Sequence, residues 1–159
     1  MQIQKLTESE TPDAMNLVWE VFLQFEAPEY PEEGIRNFKN VIDNQDIIHG
    51  FALYGAFENK KLAGVAATRN EGSHIALFFV RSDYHRRGIG RKLFDTVLRD
   101  STSDRITVNS SPFAVEIYRR LGFAATDGEK LLDGIRYTPM EYIKNKTRIE
   151  KNGIASKGI

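Results

Sequence analysis

A run of apolar residues that leads into a glycine-containing turn and an amphipathic helix constrains this chain most. His74–Val80 is apolar after its first residue, which is typical of a strand buried on both faces at the centre of a sheet. A polar loop then reaches Gly88-Ile89-Gly90, after which apolar residues recur every three or four positions, as in a helix with one buried face. The sequence therefore predicts a strand, a turn and a helix that packs back on the sheet, which is a unit of an α/β fold.

Upstream of this unit the pattern predicts one strand, two helices and a hairpin. Residues 2–6 alternate as in a strand, and residues 12–26 and 32–44 carry apolar stripes of helical period. Two prolines separate the helical segments. Residues 50–68 form two extended runs around a polar turn, which indicates an antiparallel hairpin.

Downstream, the pattern predicts a strand, a helix and a second hairpin. Residues 105–109 are typical of a short strand. Ser111-Pro112 is typical of a helix start, and Gly122 of a helix end. Asp133-Gly134 predicts a tight hairpin turn, because both residues tolerate the positive φ that such a turn requires.

The order of these elements predicts one domain with a mixed sheet and helices on both faces. The order is β-α-α-β-β-β-α-β-α-β-β over residues 1–143, and residues 144–159 are predicted to be a polar, mobile tail. A chain of 159 residues can bury a sufficient core without disulfides or metal.

Composition excludes several classes of protein. The 22 cationic and 22 anionic side chains balance, whereas nucleic-acid binding rests on a basic excess, so no nucleic-acid partner is expected. The absence of cysteine excludes a disulfide framework, a thiolate metal cluster and a cysteine nucleophile. His49, His74 and His85 are too scattered to indicate a metal site. No signal peptide and no membrane span are recognisable, so a cytoplasmic protein with no membrane partner is expected.

The turn around Gly88 and Gly90 has the features of an anion site. Glycines at a helix start let the backbone approach a ligand and direct free N–H groups at it. Helix N-termini favour acidic side chains, yet four cations surround this one: Arg86, Arg87, Arg91 and Lys92. A ligand with several negative charges, such as a pyrophosphate, would balance them. A glycine-containing loop with solvated arginines is the alternative that this turn alone leaves open.

Two motifs resemble those of the GNAT superfamily of N-acetyltransferases. HRRGIG resembles the Q/R-x-x-G-x-G/A signature between a strand and a helix, with Gly88 and Gly90 at the glycine positions and His85 at the leading position. NSSPFAVEIYRRLGF resembles the later motif of the family, in which an asparagine ends a strand and A-x-x-x-Y-x-x-x-G-F follows; its matching residues are Asn109, Ala114, Tyr118, Gly122 and Phe123. The resemblance covers residues 2–143 and implies a mostly antiparallel GNAT-like sheet. FEAPEYPEEGIRNF is also similar to the acceptor side of a largely uncharacterised bacterial branch.

The resemblance implies that acetyl-CoA binds where the fourth and fifth strands diverge. Backbone groups of Phe79 and Val80 would pair with the pantetheine arm, and Asn109, Ala114 and Tyr118 would lie beside the cofactor. The cradle for the pyrophosphate would consist of His85, Arg86, Arg87, Gly88, Ile89, Gly90 and Arg91.

Acetyl transfer to an amine requires a neutral nitrogen, a donor to the carbonyl oxygen and a proton for the departing thiolate. Without cysteine an acyl-thioenzyme is impossible, so direct attack in a ternary complex is expected. The Val80 N–H is the expected oxyanion donor, since a fixed dipole needs no reorganisation. Tyr118 is the candidate general acid, with a structural, half-buried tyrosine as the alternative. No residue stands out as the general base, so a water chain that carries the proton is the alternative, and His74 and His49 are expected to be structural.

The break between the first two helices is the expected acceptor side. It carries four acids, two aromatic residues and no cation, and its candidate substrate-binding residues are Glu26, Glu29, Tyr30 and Glu33. Such a rim would attract a protonated amine, so the expected partner is a small primary amine, a lysine or an N-terminus. Acidic residues that are merely solvated are the alternative. A homodimer is compatible with the sequence.

Two other functions stay open at this point. One is a non-catalytic acyl-CoA-binding or regulatory module on the same fold, against which Tyr118 argues. The other is a protein that binds a nucleotide or another phosphate ligand. The spacing of the glycines fits neither a Walker loop, which needs Ser or Thr after Lys92, nor a dinucleotide fingerprint, which needs a third glycine at Leu93.

Overall fold

The computed structural model describes residues 1–144. The helices are α1 (Thr11–Phe25), α2 (Glu32–Asp43), α3 (Gln45–His49), α4 (Ile89–Asp100) and α5 (Val115–Leu121). The strands are β1 (Gln2–Lys5), β2 (Ala52–Glu58), β3 (Lys61–Arg69), β4 (His74–Val80), β5 (Arg105–Ser110), β6 (Ala124–Ala125), β7 (Lys130–Leu132) and β8 (Ile135–Ile143). None of the helices within residues 1–144 is long and apolar enough to cross a membrane.

The strands form one open sheet in the order β1-β2-β3-β4-β5-β8-β6, with β7 paired to β8. Every pairing is antiparallel except that of β4 with β5. The prediction of a mixed, mostly antiparallel sheet is therefore confirmed. The single parallel pair requires the crossover through α4, which is the unit that the apolar run predicted.

Helices cover both faces of the sheet, as predicted, and each face has its own core. On one face α4 buries Leu93 and Phe94 against β2, β3 and β5. On the other, α1 buries Leu17, Val18 and Phe22 against β3 and β4. Burying a large apolar side chain contributes about 1.5–3 kcal/mol, so these two layers hold the helices on the sheet.

The sequence predicted the positions of a hairpin turn and a helix end correctly. Asp133 and Gly134 have φ of +53° and +77° and close the two-residue turn between β7 and β8. Gly122, at φ +108°, ends α5 as predicted. Both outcomes follow from the positive φ that each turn requires, which is why the residue types suffice.

Four details differ from the prediction. The short helix α3 and the short strand β6 lie between predicted elements, and the side chain of Asn44 caps α3 by accepting from two backbone N–H groups. Helix α5 begins at Val115 rather than at Ser111-Pro112, because the Ser111 hydroxyl closes a turn by accepting from the Ala114 N–H. Strand β4 is fully buried only at every second residue, since Ala76, Phe78 and Val80 border cavities described below.

The predicted tail lies almost entirely outside the described residues. Lys144 belongs to the described part: its N–H donates to the Asp104 carbonyl and its ammonium to the Ser101 carbonyl, both over 2.6 Å. The prediction of a mobile tail over the remaining residues stays a prediction.

We expect Gly122→Ala to lower the thermal stability of the protein. A left-handed residue with a side chain costs about 1–3 kcal/mol, and here a Cβ would also lie 2.9 Å from the Tyr142 ring. For a domain of this size the melting temperature should fall by about 2–10 °C in a circular-dichroism scan. Gly128→Ala is the matched control, since a Cβ there meets no atom within 4 Å. Equal melting temperatures for the two variants would contradict the proposed constraint at Gly122.

Candidate active site

A gap opens between β4 and β5 beyond Ile75 and Val108. The two strands pair only through His74 with Thr107 and Ile75 with Val108. Strand β5 stays paired with β8 along its whole length, so the remainder of β4 diverges from it. Two cavities border the diverging half of β4.

The backbone of β4 directs polar groups into this gap. The Arg81 N–H donates to the Ala63 carbonyl of the neighbouring chain segment over 2.8 Å. Because successive residues of a strand point their backbone groups to opposite sides, the N–H and C=O of Phe78 and Val80 face the gap. The Val80 carbonyl accepts a hydrogen bond of 2.7 Å from His85 Nε2. This bond requires the proton of a neutral His85 to be on Nε2.

The first cavity, here called the cradle cavity, lies at the start of α4 and has a volume of about 520 Å³. Its polar side consists of His85, Arg86, Gly88, Gly90, Arg91 and Arg120. Its apolar side includes Phe25, Val80, Ile89, Phe113, Ile117 and Leu121.

The geometry of the cradle cavity fits a ligand with several negative charges. Gly88 has φ +79°, and a Cβ there would meet no atom within 4 Å, so the backbone is open to a ligand. The first turn of α4 contains no acidic residue. Arg91 donates to the Arg120 carbonyl over 2.9 Å, which joins the start of α4 to the end of α5 at the rim. Free amides and cations thus converge where phosphates would be stabilised.

The second cavity, here called the aromatic cavity, has a volume of about 350 Å³ and lies on the other side of β4. It is bounded by the end of α1, by α2, by β4 and β5, and by the β7–β8 hairpin. Its apolar lining includes Phe22, Phe38, Val41, Ile75, Leu77, Val108, Ile135 and Tyr137. Its polar lining includes Glu26, Tyr30, Asn37, Asn109 and Ser111.

The two cavities share one wall, which consists of Glu26, Phe78, Phe79, Ala114 and Tyr118. Burial raises the pKa of Glu26 to about 7, a hydrogen bond from Ser111 opposes this shift, and the charge of Glu29 adds to it. A carboxyl with a pKa near neutrality, placed between two cavities, is suited to accept and release a proton.

Tyr118 is held beside Glu26 by aromatic packing. Its ring centroid lies 5.8 Å from that of Phe78 and 5.3 Å from that of Phe123. Burial, and then the neighbouring Glu26, raise the pKa of the Tyr118 phenol well above its usual range. The phenol therefore keeps its proton at neutral pH, so that it can give up a proton but cannot act as a base.

Most of the predicted cofactor-binding residues line the cradle cavity. His85, Arg86, Gly88, Ile89, Gly90, Arg91, Val80, Phe79, Ala114 and Tyr118 all do so. Arg87 does not, because its guanidinium lies over the Tyr84 ring, 5.4 Å from the centroid. Asn109 lines the aromatic cavity instead. The backbone of Phe79 faces β3, so Phe78 presents the backbone groups that the sequence assigned to Phe79.

The structure brings together only two of the four predicted acceptor-side residues. Glu26 and Tyr30 line the aromatic cavity, whereas Glu29 and Glu33 are exposed outside its lining. The Tyr30 hydroxyl donates to the Arg136 carbonyl over 3.3 Å. Burial, followed by the charges of Glu26 and Glu29, raises the pKa of the Tyr30 phenol well above its usual range.

Sequence reasoning missed Glu26 as a candidate base and Arg120 as a cation of the cradle cavity. Nothing local distinguishes Glu26 from its exposed neighbours, because its hydrogen-bond partner Ser111 and the β4 residues of the shared wall are distant in the chain. His74 donates to or accepts from Thr107 over 2.8 Å, and burial with the charge of Arg69 lowers its pKa to about 4. His49 lies beside the exposed Glu8. Neither histidine lines either cavity.

Comparison with known families identifies the chain. A family model described as an acetyltransferase (GNAT) domain matches residues 26–144, well over half of the sequence. The chain belongs to the GNAT acetyltransferase family. It is therefore an acyltransferase with acetyl-CoA as its cosubstrate, and the resemblance of the two motifs is confirmed. The sequence matches no curated protein at a significant level.

Solved structures show the same GNAT fold. A GCN5-related N-acetyltransferase from Rhodopseudomonas palustris superposes with a TM-score of 0.77 at 19% identity, covering 89% of this chain and 94% of its own. A GNAT-family acetyltransferase from Staphylococcus aureus Mu50 gives 0.68 at 17% identity, covering 90% and 98%. The PaiA N-acetyltransferase from Thermoplasma acidophilum, solved in complex with coenzyme A, gives 0.66 at 18% identity, covering 89% and 98%.

We expect Gly90→Glu to abolish the stabilisation of this GNAT protein by CoA. Ligand at 100 times its dissociation constant adds about 2.7 kcal/mol to the free energy of unfolding, and a carboxylate in the cradle cavity would repel it. The measurement is the shift in melting temperature with saturating CoA. Gly90→Ala is the matched control, because its Cβ would make an ordinary contact of 3.6 Å with Phe78. If CoA raised the melting temperature of Gly90→Glu as much as that of the wild type, the phosphates would have to bind outside the cradle cavity.

Proposed function

We propose that this enzyme moves the acetyl group of acetyl-CoA to a primary amine by direct attack in a ternary complex. The observation that carries the proposal is the shared wall, where a carboxyl with a pKa near 7 and a protonated phenol lie between two cavities. Donor and acceptor would enter from opposite sides and meet at this wall. Binding both at once supplies the proximity on which direct attack depends.

The cradle cavity is the proposed site of acetyl-CoA. The amides from Arg86 to Arg91 would hold the pyrophosphate, with Arg86, Arg91 and Arg120 as counter-charges. The N–H and C=O of Phe78 would pair with the pantetheine arm in the manner of an added strand. The bound cosubstrate supplies an activated thioester. The Val80 N–H, which faces the gap, would donate to the thioester carbonyl oxygen.

Glu26 is the proposed general base. An alkyl ammonium has a pKa of about 10.4, which is about 6 pKa units above that of an ordinary glutamate. Transfer of its proton to such a glutamate therefore costs about 8 kcal/mol. With the pKa of Glu26 at about 7, the same transfer costs only about 5 kcal/mol. A turnover of about 10 per second corresponds to a total barrier of about 16 kcal/mol. Proton removal by Glu26 therefore fits within the barrier of an ordinary enzyme.

Tyr118 is the proposed general acid. It would donate its phenolic proton to the departing sulfur from the opposite side of the shared wall. Its high pKa makes Tyr118 a weak acid. Burial also raises the pKa of a thiol in the same cavity, however, so the difference between the pKa of the phenol and that of the thiol becomes smaller. The ammonium loses two protons in total. One passes through Glu26 to solvent, and the other restores the proton that Tyr118 gives to sulfur, as the C–N bond forms and the C–S bond breaks.

Release of free thiol from acetyl-CoA in the presence of primary amines tests the proposed activity. We expect thiol and acetylated amine to appear in equal amounts, with the amide detected by mass spectrometry. Binding of CoA without turnover of any amine would instead support a non-catalytic module. The prediction that exposed Glu29 and Glu33 attract the amine is separate and stays a prediction.

We expect the pH profile to report Glu26. Because the deprotonated carboxylate is the active form, kcat/KM should rise with pH and show an inflection near pH 7. Glu26→Gln should lower kcat by about 10²–10⁴ and remove this inflection. Glu32→Gln, on the exposed first turn of α2, removes the same charge as a control. If the inflection near pH 7 persisted in Glu26→Gln, a group other than Glu26 would be the general base.

We expect Tyr118→Phe to keep the ring packing and lose the proton. Its kcat should fall by about 10²–10⁴ while the affinity for CoA changes little. Single-turnover rates separate the chemical step from product release. A variant with wild-type single-turnover rates would show that Tyr118 is a packing residue.

A further inference from the structure

The lining of the aromatic cavity restricts the acceptor, provided that the proposed function is correct. Most of the side chains around its volume of about 350 Å³ are aliphatic or aromatic. Among the described residues that line it, none is Lys, Arg or His. The carboxylates are Glu26 at the shared wall and Asp133, which is exposed at the turn of the β7–β8 hairpin.

This distribution of charge selects a single amino group and disfavours an acidic acceptor. A carboxylate on the acceptor would lose its hydration without gaining a cationic partner and would face Glu26. A second ammonium deep in the cavity would lie against aromatic and aliphatic side chains, because the other lining acid, Asp133, is exposed at the hairpin turn. An apolar body, by contrast, gains about 25 cal/mol for each Å² that it buries there.

Contacts between α2 and the β7–β8 hairpin bridge one side of the cavity, so that no open groove separates these two elements. Asn37 donates to the Asp133 carbonyl over 2.8 Å. The backbones of Gly34 and Gly134 touch, since a Cβ on Gly34 would lie 2.4 Å from the Gly134 oxygen. The Tyr30 hydroxyl adds a third connection, to the Arg136 carbonyl. A polypeptide needs an open groove on this side, whereas a small molecule does not.

We propose that the acceptor is a small monoamine with an apolar body, and neither a polypeptide amine nor an amino acid. Its amino group lies at Glu26, and its body lies among Phe22, Phe38 and Val41. The nitrogen thus reaches the shared wall, and the body fills the enclosed part of the cavity. Selectivity among amines comes from the apolar body, because Glu26 at the shared wall can accept a proton from any amine.

Matched acceptors test this proposal on the unmodified enzyme. Phenylethylamine and phenylalanine share the same ring and amino group and differ by one carboxylate. We expect kcat/KM for phenylethylamine to exceed that for phenylalanine by at least about 100-fold, the effect of about 2.7 kcal/mol. Spermidine, kanamycin and a lysine-containing peptide, assayed by the same thiol release, should each be poorer than phenylethylamine. A higher kcat/KM for any of these four would overturn the proposal and leave the acetyltransferase function intact.

A cavity-filling variant gives a second readout. Val41→Phe adds a ring inside the aromatic cavity, and Val41 does not line the cradle cavity. We expect the ratio of kcat/KM for phenylethylamine to that for ethylamine to fall at least about tenfold, with the KM for acetyl-CoA unchanged. An unchanged ratio, with CoA still raising the melting temperature, would show that the body binds elsewhere. Failure of every amine in the wild type would overturn the proposed function as well.

Discussion

The divergence of β4 from β5 is the constraint on which the rest of this structure depends. Parallel strands in the centre of a sheet normally pair along their length, and an unpaired buried backbone group costs about 1–3 kcal/mol. Here only two residues of each strand pair, and β8 satisfies β5 from its other side. The sheet therefore stays continuous while Phe78 and Val80 keep polar groups that face a gap. Those groups, and the two cavities beside them, exist because pairing stops at Ile75.

Placing Glu26 and Tyr118 together at this gap separates their protonation behaviour. Each is shielded from water, which disfavours the charged form of both. The negative charge of Glu26 then disfavours a tyrosinate further, so the carboxyl titrates near neutrality and the phenol does not titrate in the physiological range. Two acidic groups whose pKa values are driven apart in this way acquire different roles, one as base and one as acid.

The sequence predicted features whose causes are local and missed those whose causes are distant. Gly88, Gly122 and the Asp133-Gly134 turn follow from backbone conformation, so their residue types suffice. Glu26 looks like any exposed acid near a proline, because the residues that share its wall, such as Phe78 and Tyr118, lie far along the chain. The same limit explains Asn109, whose position in the aromatic cavity depends on how far β5 has turned from β4.

His85 shows how a departure from the family motif can be accommodated. The ring donates to the Val80 carbonyl and packs against Phe25, with centroids 5.1 Å apart, while Phe25 stacks on Phe113 at 5.0 Å. This row of aromatic contacts joins β4, the end of α1 and the turn before α5. Glu26 directly follows Phe25, so the contacts that steady the edge of β4 also fix the carboxyl. Because the phosphate cradle relies on backbone amides and cations, a histidine at the leading position can serve the geometry of the shared wall without weakening the cradle.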